Sequence, residues 1–232
     1  MSAPAPSAVL HFADAGEAAD VAAFLGRLVH YDKAAAVRLQ AQAGGQALAV
    51  FGRPPSFEVL AIRTARLLKP YENGIDDVLD VTVSAGELLE SVDEGEATAR
   101  VPAAVTGPPW AGMLPPRGGW ERLAGFPGAE ALRGLVRAAV REFKVRVEEL
   151  APQARTRAGL DGLGREIWSR EIGATGVPVR LAHAAASLGF LRGDLVDVLA
   201  AGPWVRLRTP YGSVALRRGT SGGLGGLFVT PV

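Results

Sequence analysis

The chain has 232 residues, of which 48% are hydrophobic, and this composition excludes wholesale disorder because it can supply a buried core. It contains no cysteine, which excludes disulfides, thiolate metal sites and cysteine nucleophiles. The formal net charge is only +1, but residues 1–100 hold eight Lys and Arg against 14 Asp and Glu, whereas residues 101–232 hold 17 against ten. This asymmetry predicts an anionic partner for the C-terminal half or attraction between the halves, unless both charges lie on solvated faces.

Two further features concern the compartment. No run of the sequence approaches the ~18 apolar residues that a membrane span needs, and no basic residue precedes the first apolar stretch. We therefore expect no membrane span and no secretory signal, and we expect a cytoplasmic protein.

The first hundred residues combine helical and strand patterns. Asp14 and Glu17 form a capping-box-like start, and the apolar spacing behind them predicts a helix over residues 15–30. Alternating apolar residues predict four strands, over residues 36–41, 46–51, 57–67 and 78–84. Ser84 and Glu87 form a second capping box, which opens a short helix ending near Ser91. The order predicts an acidic α+β domain over residues 1–100 with a largely antiparallel sheet.

Residues 101–127 differ in kind, since 11 of these 27 residues are Pro or Gly. We interpret them as a connection between domains or a long ordered loop. Trp110 and Trp120 lie within this stretch, and large aromatic side chains gain most from burial. We expect both rings to pack onto a domain, and together with Trp204 they are candidate aromatics for binding a partner.

An amphipathic helix is predicted over residues 129–150, and Pro152 stops it. A row of basic residues runs beside its apolar stripe, and three of them are candidate ligands for an anion or partner: Arg133, Arg137 and Arg141. Glu130 and Glu148 lie in the same arc, so a solvated ladder of salt bridges is the simpler interpretation. A second helical stretch near residues 160–171 contains Trp168.

A basic β-hairpin is the clearest prediction in the last domain, which covers residues 128–232. Residues 204–208 alternate in polarity, as a strand does, and residues 209–212 have Pro and Gly at the positions that a turn favours. Residues 213–218 then form the second strand of the hairpin. Four arginines on this hairpin are candidates for binding an anion or partner: Arg206, Arg208, Arg217 and Arg218. A solvated hairpin face is the simpler alternative.

The segment over residues 176–218 resembles the core of bacterial SH3-type domains. The resemblance lies in the Gly193-Asp194 turn and the strand that follows it, in Trp204 on the next strand, and in Gly212 at the following turn. It implies a small barrel with a ligand-binding habit, in which residues 177–180 supply the first strand. Two departures stand against it, namely an alanine-rich stretch over residues 181–188 and the absence of a Gly-Trp pair after Gly212.

A winged helix is the alternative for the same residues. Pro178 then opens a helix that ends at Gly189, residues 195–200 form a second helix, and the hairpin is the wing. In that arrangement the hairpin arginines contact phosphates.

No catalytic or cofactor motif stands out, so we predict no cofactor, no metal and no catalytic residue. Glycine-rich residues 221–226 lack dinucleotide-binding spacing, and no P-loop is present. The acidic residues Glu72, Asp76, Asp77 and Asp80 are most simply a solvated loop. His30 complements the end of the first helix and lies near Asp32, whereas His183 lies in an apolar stretch and is expected to be a partly buried structural side chain.

The sequence therefore favours a non-enzymatic binding or assembly protein that acts through protein–protein contacts or self-association. A nucleic-acid-binding regulator that uses the hairpin arginines is the alternative. An enzyme is the third hypothesis, and a pocket lined by two or more of His30, Asp32, Asp76 and Asp80 would support it.

Overall fold

The structure is a computed structural model that describes residues 8–55, 57–68 and 78–218. Within these ranges the helices are α1 (Ala15–Tyr31), α2 (Ala85–Ser91), α3 (Ala129–Glu149), α4 (Arg157–Trp168) and α5 (Val179–Ser187). The strands are β1 (Val9–His11), β2 (Ala36–Ala41), β3 (Ala47–Gly52), β4 (Leu60–Arg66), β5 (Leu79–Ser84), β6 (Val92–Asp93), β7 (Thr98–Arg100), β8 (Glu121–Arg122), β9 (Asp197–Ala201), β10 (Trp204–Thr209) and β11 (Gly212–Arg217). The predicted α+β class is confirmed, with helices on an N-terminal sheet and a β-rich C-terminal region.

One antiparallel sheet joins the two ends of the chain. Its strand order is β5-β2-β3-β4-β11-β10-β9-β8, and a second sheet has the order β1-β7-β6. The central junction pairs β4 with β11, where Leu60 faces Ala215, Ala61 faces Val214 and Ile62 faces Ser213. Residues from the predicted domains 1–100 and 128–232 therefore share one sheet.

The main core lies between this sheet and the helices. The buried face of α1 carries Phe24, Leu25 and Leu28, which join one apolar cluster with buried residues of α5 and of the central strands. The ring of Phe24 lies 5.7 Å from that of Phe190, which follows α5. Both halves of the chain thus contribute to the same core, and burial of this apolar surface is its main source of stability.

Local signals account for the element starts. Asp14 accepts a hydrogen bond from the backbone N–H of Glu17 at 2.9 Å, and Ser84 accepts one from Glu87 at 3.4 Å, as both capping boxes predict. The predicted hairpin is confirmed, because β10 pairs with β11 from Trp204 opposite Arg217 to Thr209 opposite Gly212.

Part of the Pro- and Gly-rich stretch over residues 101–127, around Trp110, packs on the sheet face opposite α1, whereas Val101, Leu123 and Phe126 contribute to the main core. Trp110 packs against Phe51, Leu60 and Ile62, whose side chains alternate with those that face the main core. A 3₁₀ turn over Pro109–Gly112 carries this ring, so the expected packing of Trp110 is confirmed. Trp120 is half-buried, and its indole N–H donates to the carbonyl of Pro116 at 2.9 Å.

Two details of the C-terminal predictions are wrong. Residues 177–180 do not form the first strand of a barrel, since Pro178 is the N-cap of α5 and Val179 and Arg180 already lie in this helix. Residues 195–200 do not form the second helix of a winged helix, because the branched, alternating residues of this stretch lead into β9. The helix predicted after Pro178 is confirmed, and β9, β10 and β11 continue the sheet that contains β4.

Three of the acidic residues considered above, Glu72, Asp76 and Asp77, and the glycine-rich residues 221–226 lie outside the described part of the chain. Within the described ranges, every helix is too short or too polar to cross a lipid bilayer.

Candidate functional site

The candidate site is a cavity of about 660 Å³ where α3, α4 and α5 meet residues 57–58, just before β4. We call it the aromatic cavity. Its lining residues are Phe57, Glu58, Phe143, Arg157, Ala158, Leu160, Asp161, Gly164, Arg165, Trp168, Arg180 and His183. Its volume falls within the range of about 300–1,000 Å³ that is typical of ligand sites.

Four rings form a continuous wall of the aromatic cavity. The ring of Phe57 lies 5.2 Å from His183, His183 stacks on Trp168 at 4.1 Å and 20°, and Trp168 lies 5.9 Å from Phe143. These separations are typical of packed aromatic pairs, which are worth about 0.5–1.5 kcal/mol each beyond burial alone. The wall is therefore a preformed apolar surface with flat faces.

Helix geometry explains how the lining side chains come together. Arg180 and His183 are three residues apart on α5, and Gly164 and Trp168 are four apart on α4, so each pair shares a helix face. A Cβ atom on Gly164 would lie 3.3 Å from the indole nitrogen of Trp168 and 3.8 Å from Phe143. The missing side chain at Gly164 thus lets the two rings approach each other.

A network of ion pairs fixes α4 against α3 beside the aromatic cavity. Arg170 donates to Glu142 at 2.6 Å, and Arg146 donates to Glu166 at 2.6 Å. The hydrogen bond from Arg146, with further help from Arg170, lowers the pKa of Glu166 to about 2. The network therefore stays ionised through the physiological pH range.

Arg180 and Glu58 form the main ion pair at the aromatic cavity. Glu58 has a backbone φ of 54°, a left-handed conformation that costs a non-glycine residue of order 1 kcal/mol. The Nε atom of Arg180 is buried and has no acceptor among the described residues. A glutamate with a strained backbone and an arginine with one donor unpaired among the described residues are therefore ion-paired in the wall of the cavity.

His183 is held neutral in this wall. Burial lowers the pKa of the imidazole to about 4, well below its ordinary value of about 6.5. The charged groups that line the same cavity are Arg157, Arg165, Arg180, Glu58 and Asp161. At neutral pH the ring of His183 is thus an uncharged stacking surface on Trp168.

This shift predicts a pH-dependent stability. Because the folded-state pKa lies below the unfolded one, the unfolded chain binds the extra proton between pH about 4 and 6.5. The contribution of His183 to the free energy of unfolding is complete above pH about 6.5 and is lost as the pH falls to about 4. We expect a loss of about 2 kcal/mol, less than the full shift implies because the ring keeps some contact with water.

Urea unfolding of the wild type and of His183→Phe at several pH values checks this expectation. The Phe variant keeps a flat ring against Trp168 but cannot titrate, so its stability should fall less between pH 6.5 and 4. Parallel pH profiles for the two proteins would contradict a neutral, buried His183.

The candidate arginines of α3 lie outside the aromatic cavity. Arg133 donates to Glu130 at 2.8 Å and to the carbonyl of Gly193 at 2.6 Å, and Arg137 donates to Glu130 at 2.9 Å. The hydrogen bonds from Arg137 and then Arg133 lower the pKa of Glu130. Arg141 is exposed and has no carboxylate within 4 Å among the described residues. Of the three candidate arginines, Arg133 and Arg137 therefore take part in the predicted salt bridges.

Two of the four hairpin arginines approach residues of the 101–127 stretch, since Arg206 lies near Trp120 and Arg217 lies near Met113. Arg208 donates to Asp197 at 2.8 Å, and this bond lowers the pKa of Asp197. Arg206 is half-buried, donates to Ser213 at 2.9 Å and lies 5.8 Å from the ring centre of Trp120. Burial, with a smaller effect of Arg208, lowers the pKa of Arg206. Arg217 and Arg218 are exposed, and Trp204 is half-buried.

Of the four residues considered for an enzyme, Asp76 lies outside the described part of the chain, and His30, Asp32 and Asp80 are each exposed. His30 is exposed at the end of α1, Asp32 accepts a hydrogen bond from the backbone of Ala34 at 2.9 Å, and Asp80 binds Arg38 at 2.6 Å. The described cavities are not lined by these three side chains. No group of three or more potential metal ligands occurs within the described ranges.

Sequence reasoning missed the aromatic cavity. The sequence patterns predict that Trp168 lies in a helix and that His183 is a structural side chain. They do not predict that either residue contacts Phe57 or Phe143. The available signal was the presence of aromatic and basic residues on the same faces of two short helices.

Comparison with known proteins gives two family matches. Residues 5–112 match a family model described as "Domain of unknown function (DUF8010)", and residues 115–221 match one described as "Domain of unknown function (DUF8185)". No curated protein and no solved structure matches the chain. The boundary between the two matches falls next to the 3₁₀ turn that carries Trp110, and the aromatic cavity draws residues from both sides of it.

Proposed function

We propose that this chain is a non-enzymatic binding protein that acts through protein–protein contacts. In this proposal the aromatic cavity receives a large aromatic side chain from a partner protein. The observation that supports it is the wall of four rings around a cavity of about 660 Å³. A ring inserted there gains both apolar burial and stacking.

The chemistry of the rim supports a protein partner. Arg157 and Asp161 at the rim have side chains that are 94% and 65% exposed, while Leu160, Trp168 and Phe143 provide apolar surface further in. An apolar pocket surrounded by polar, exposed side chains is the usual surrounding of an anchor residue in a protein–protein interface. The site can thus take one side chain from a partner surface.

The state of His183 supports binding rather than catalysis. An efficient general base has a pKa near the working pH, whereas burial holds the pKa of His183 at about 4. Its ring is also stacked on Trp168, which makes it part of the contact surface.

The ion pairs of the candidate arginines favour this proposal over a nucleic-acid-binding regulator. Arg133 and Arg137 share Glu130, and Arg208 is bound to Asp197. These three cations are already partly neutralised within the protein, which reduces the field available to a phosphate backbone.

Titration with two small probes tests the proposal on the whole chain. The indole N–H signal of Trp168 is followed by heteronuclear NMR, and the other three tryptophans serve as internal references. N-acetyl-phenylalanine amide should move the Trp168 signal in a saturable manner, whereas N-acetyl-alanine amide should leave it unchanged.

The matched variants are Trp168→Ala and Trp110→Phe, with calorimetric measurement of binding. Loss of the stacking surface should weaken binding of N-acetyl-phenylalanine amide about tenfold in the first variant, whereas the second should bind like the wild type. Equal responses to both probes, or a shift of Trp110 instead of Trp168, would refute the aromatic cavity as the binding site. Tight, salt-sensitive binding of duplex DNA would support the regulator instead.

A further inference from the structure

We propose that the aromatic cavity selects a C-terminal aromatic residue of its partner, and that Arg180 binds the terminal carboxylate. This inference rests on the proposed function and adds the chemical class of the ligand. The partner is thus a polypeptide whose last residue carries both the ring and the charge.

Arg180 lines the aromatic cavity and carries one donor that has no acceptor among the described residues. Its side chain is 22% exposed, and its Nε atom is buried without an acceptor among the described residues. Buried polar groups are normally hydrogen-bonded, and an Arg guanidinium matches a carboxylate with two parallel hydrogen bonds. Arg180 is therefore suited to bind a carboxylate that enters with the ligand.

The present partner of Arg180 can be displaced. The side chain of Glu58 is 60% exposed, and ion pairs with such exposed groups are weak. Glu58 also holds a left-handed backbone conformation, with φ of 54°. A carboxylate that replaces it lets this segment move away from the cavity and relax its backbone.

The charges around Arg180 also favour an anion. Arginines 157, 165 and 180 line the aromatic cavity together with only two carboxylates, those of Glu58 and Asp161. Arg157 is 3.9 Å from Asp161, at the limit of an ion pair, and no described carboxylate lies within 4 Å of Arg165. The lining is therefore cationic, and release of Glu58 increases this excess.

The distance between ring and charge points to a chain terminus. Arg180 and His183 are one helical turn apart, so their Cβ atoms are about 5–6 Å from each other. In a C-terminal Phe, Tyr or Trp, the carboxylate is bonded to Cα and the ring to Cβ. The two groups can therefore span such a distance. An acidic side chain on the next residue of an internal segment is further from the ring.

Calorimetric titration of the full chain tests this with three probes: N-acetyl-phenylalanine, N-acetyl-phenylalanine amide, and N-acetyl-phenylalanyl-aspartic acid whose α-carboxyl alone is amidated, called the aspartyl peptide here. We expect the free acid to bind about tenfold more tightly than the amide, because its carboxylate forms charge-assisted hydrogen bonds. The aspartyl peptide, whose only carboxylate belongs to the Asp side chain, should bind like the amide.

Three variants separate Arg180 from general charge effects. Arg180→Gln should abolish the preference for the acid over the amide. Glu58→Gln should strengthen binding of the acid relative to the amide about threefold. Arg100→Gln is the control, since Arg100 is an exposed cation in the three-stranded sheet.

The outcomes distinguish this inference from the proposed function. Equal affinities of the wild type for acid and amide overturn the role of Arg180 but leave the aromatic cavity as a ring-binding site. Equal binding of the acid and the aspartyl peptide overturns the requirement for a chain terminus. Failure of all three probes to bind overturns the proposed function and this inference with it.

Discussion

If the chain is divided into two fragments at the boundary between its two family matches, we expect neither fragment to fold cooperatively. Residues 5–112 end without β11, so the edge of β4 loses the pairs between Leu60 and Ala215, Ala61 and Val214, and Ile62 and Ser213. Residues 115–221 lose the cover that α1 gives to the shared core. Unpaired edges and exposed apolar surface make each piece prone to aggregation.

Thermal unfolding followed by circular dichroism measures this effect. The intact chain should give a single transition, each piece should give none, and an equimolar mixture should recover part of the native signal. A piece that unfolds alone at the melting temperature of the intact chain would contradict a shared core.

Replacement of Arg63 by Ala is expected to cost about 3 kcal/mol of stability. Arg63 is 5% exposed on β4, and its guanidinium donates to Glu17 and Asp20 of α1 at 3.0 Å each. The substitution removes this ion pair from Glu17, whose side chain is only 14% exposed. Unpaired buried charge is much more costly than loss of a solvated pair.

Arg66 provides a matched control on the same strand. It also donates to Glu17, at 2.9 Å, but its side chain is 69% exposed. Chemical denaturation should show that Arg66→Ala loses only a small fraction of what Arg63→Ala loses. For a chain of this size, a loss of 3 kcal/mol lowers the melting temperature by about 10 °C. Equal losses in the two variants would show that burial does not set the cost.

Much of the fold could be predicted from local patterns. Helix α1 runs over Ala15–Tyr31 where the spacing predicts 15–30, and the hairpin strands Trp204–Thr209 and Gly212–Arg217 lie where alternation and the turn place them. Capping boxes, turn residues and apolar periodicity are short-range signals, so they can be read without knowledge of the rest of the chain.

The pairing of distant strands could not be predicted in this way. Alternation in β4 and β11 shows which side chains share a face, but it does not show that these strands are neighbours. The sequence therefore suggested separate domains, whereas β4 and β11 are joined at the centre of one sheet. The residues around Pro178 fit either a strand or the start of a helix, and in the structure they start α5, which packs on the sheet.

The candidate site was missed for a related physical reason. Phe57, Phe143, Trp168 and His183 come from four separate segments, and their contacts exist only after α3, α4 and α5 have packed. The predicted β4 included Phe57, but the strand begins at Leu60 because Glu58 has a positive φ. This irregular backbone directs Phe57 and Glu58 toward the aromatic cavity.

The most direct test of the central claim is an NOE measurement on the intact chain saturated with N-acetyl-phenylalanine. The proposal predicts intermolecular NOEs from the phenyl protons of the probe to Phe143, Trp168 and His183, and from its α proton to the side chain of Arg180. NOEs confined to other surfaces, such as Met113 or Leu195, would contradict the aromatic cavity as the site of partner recognition.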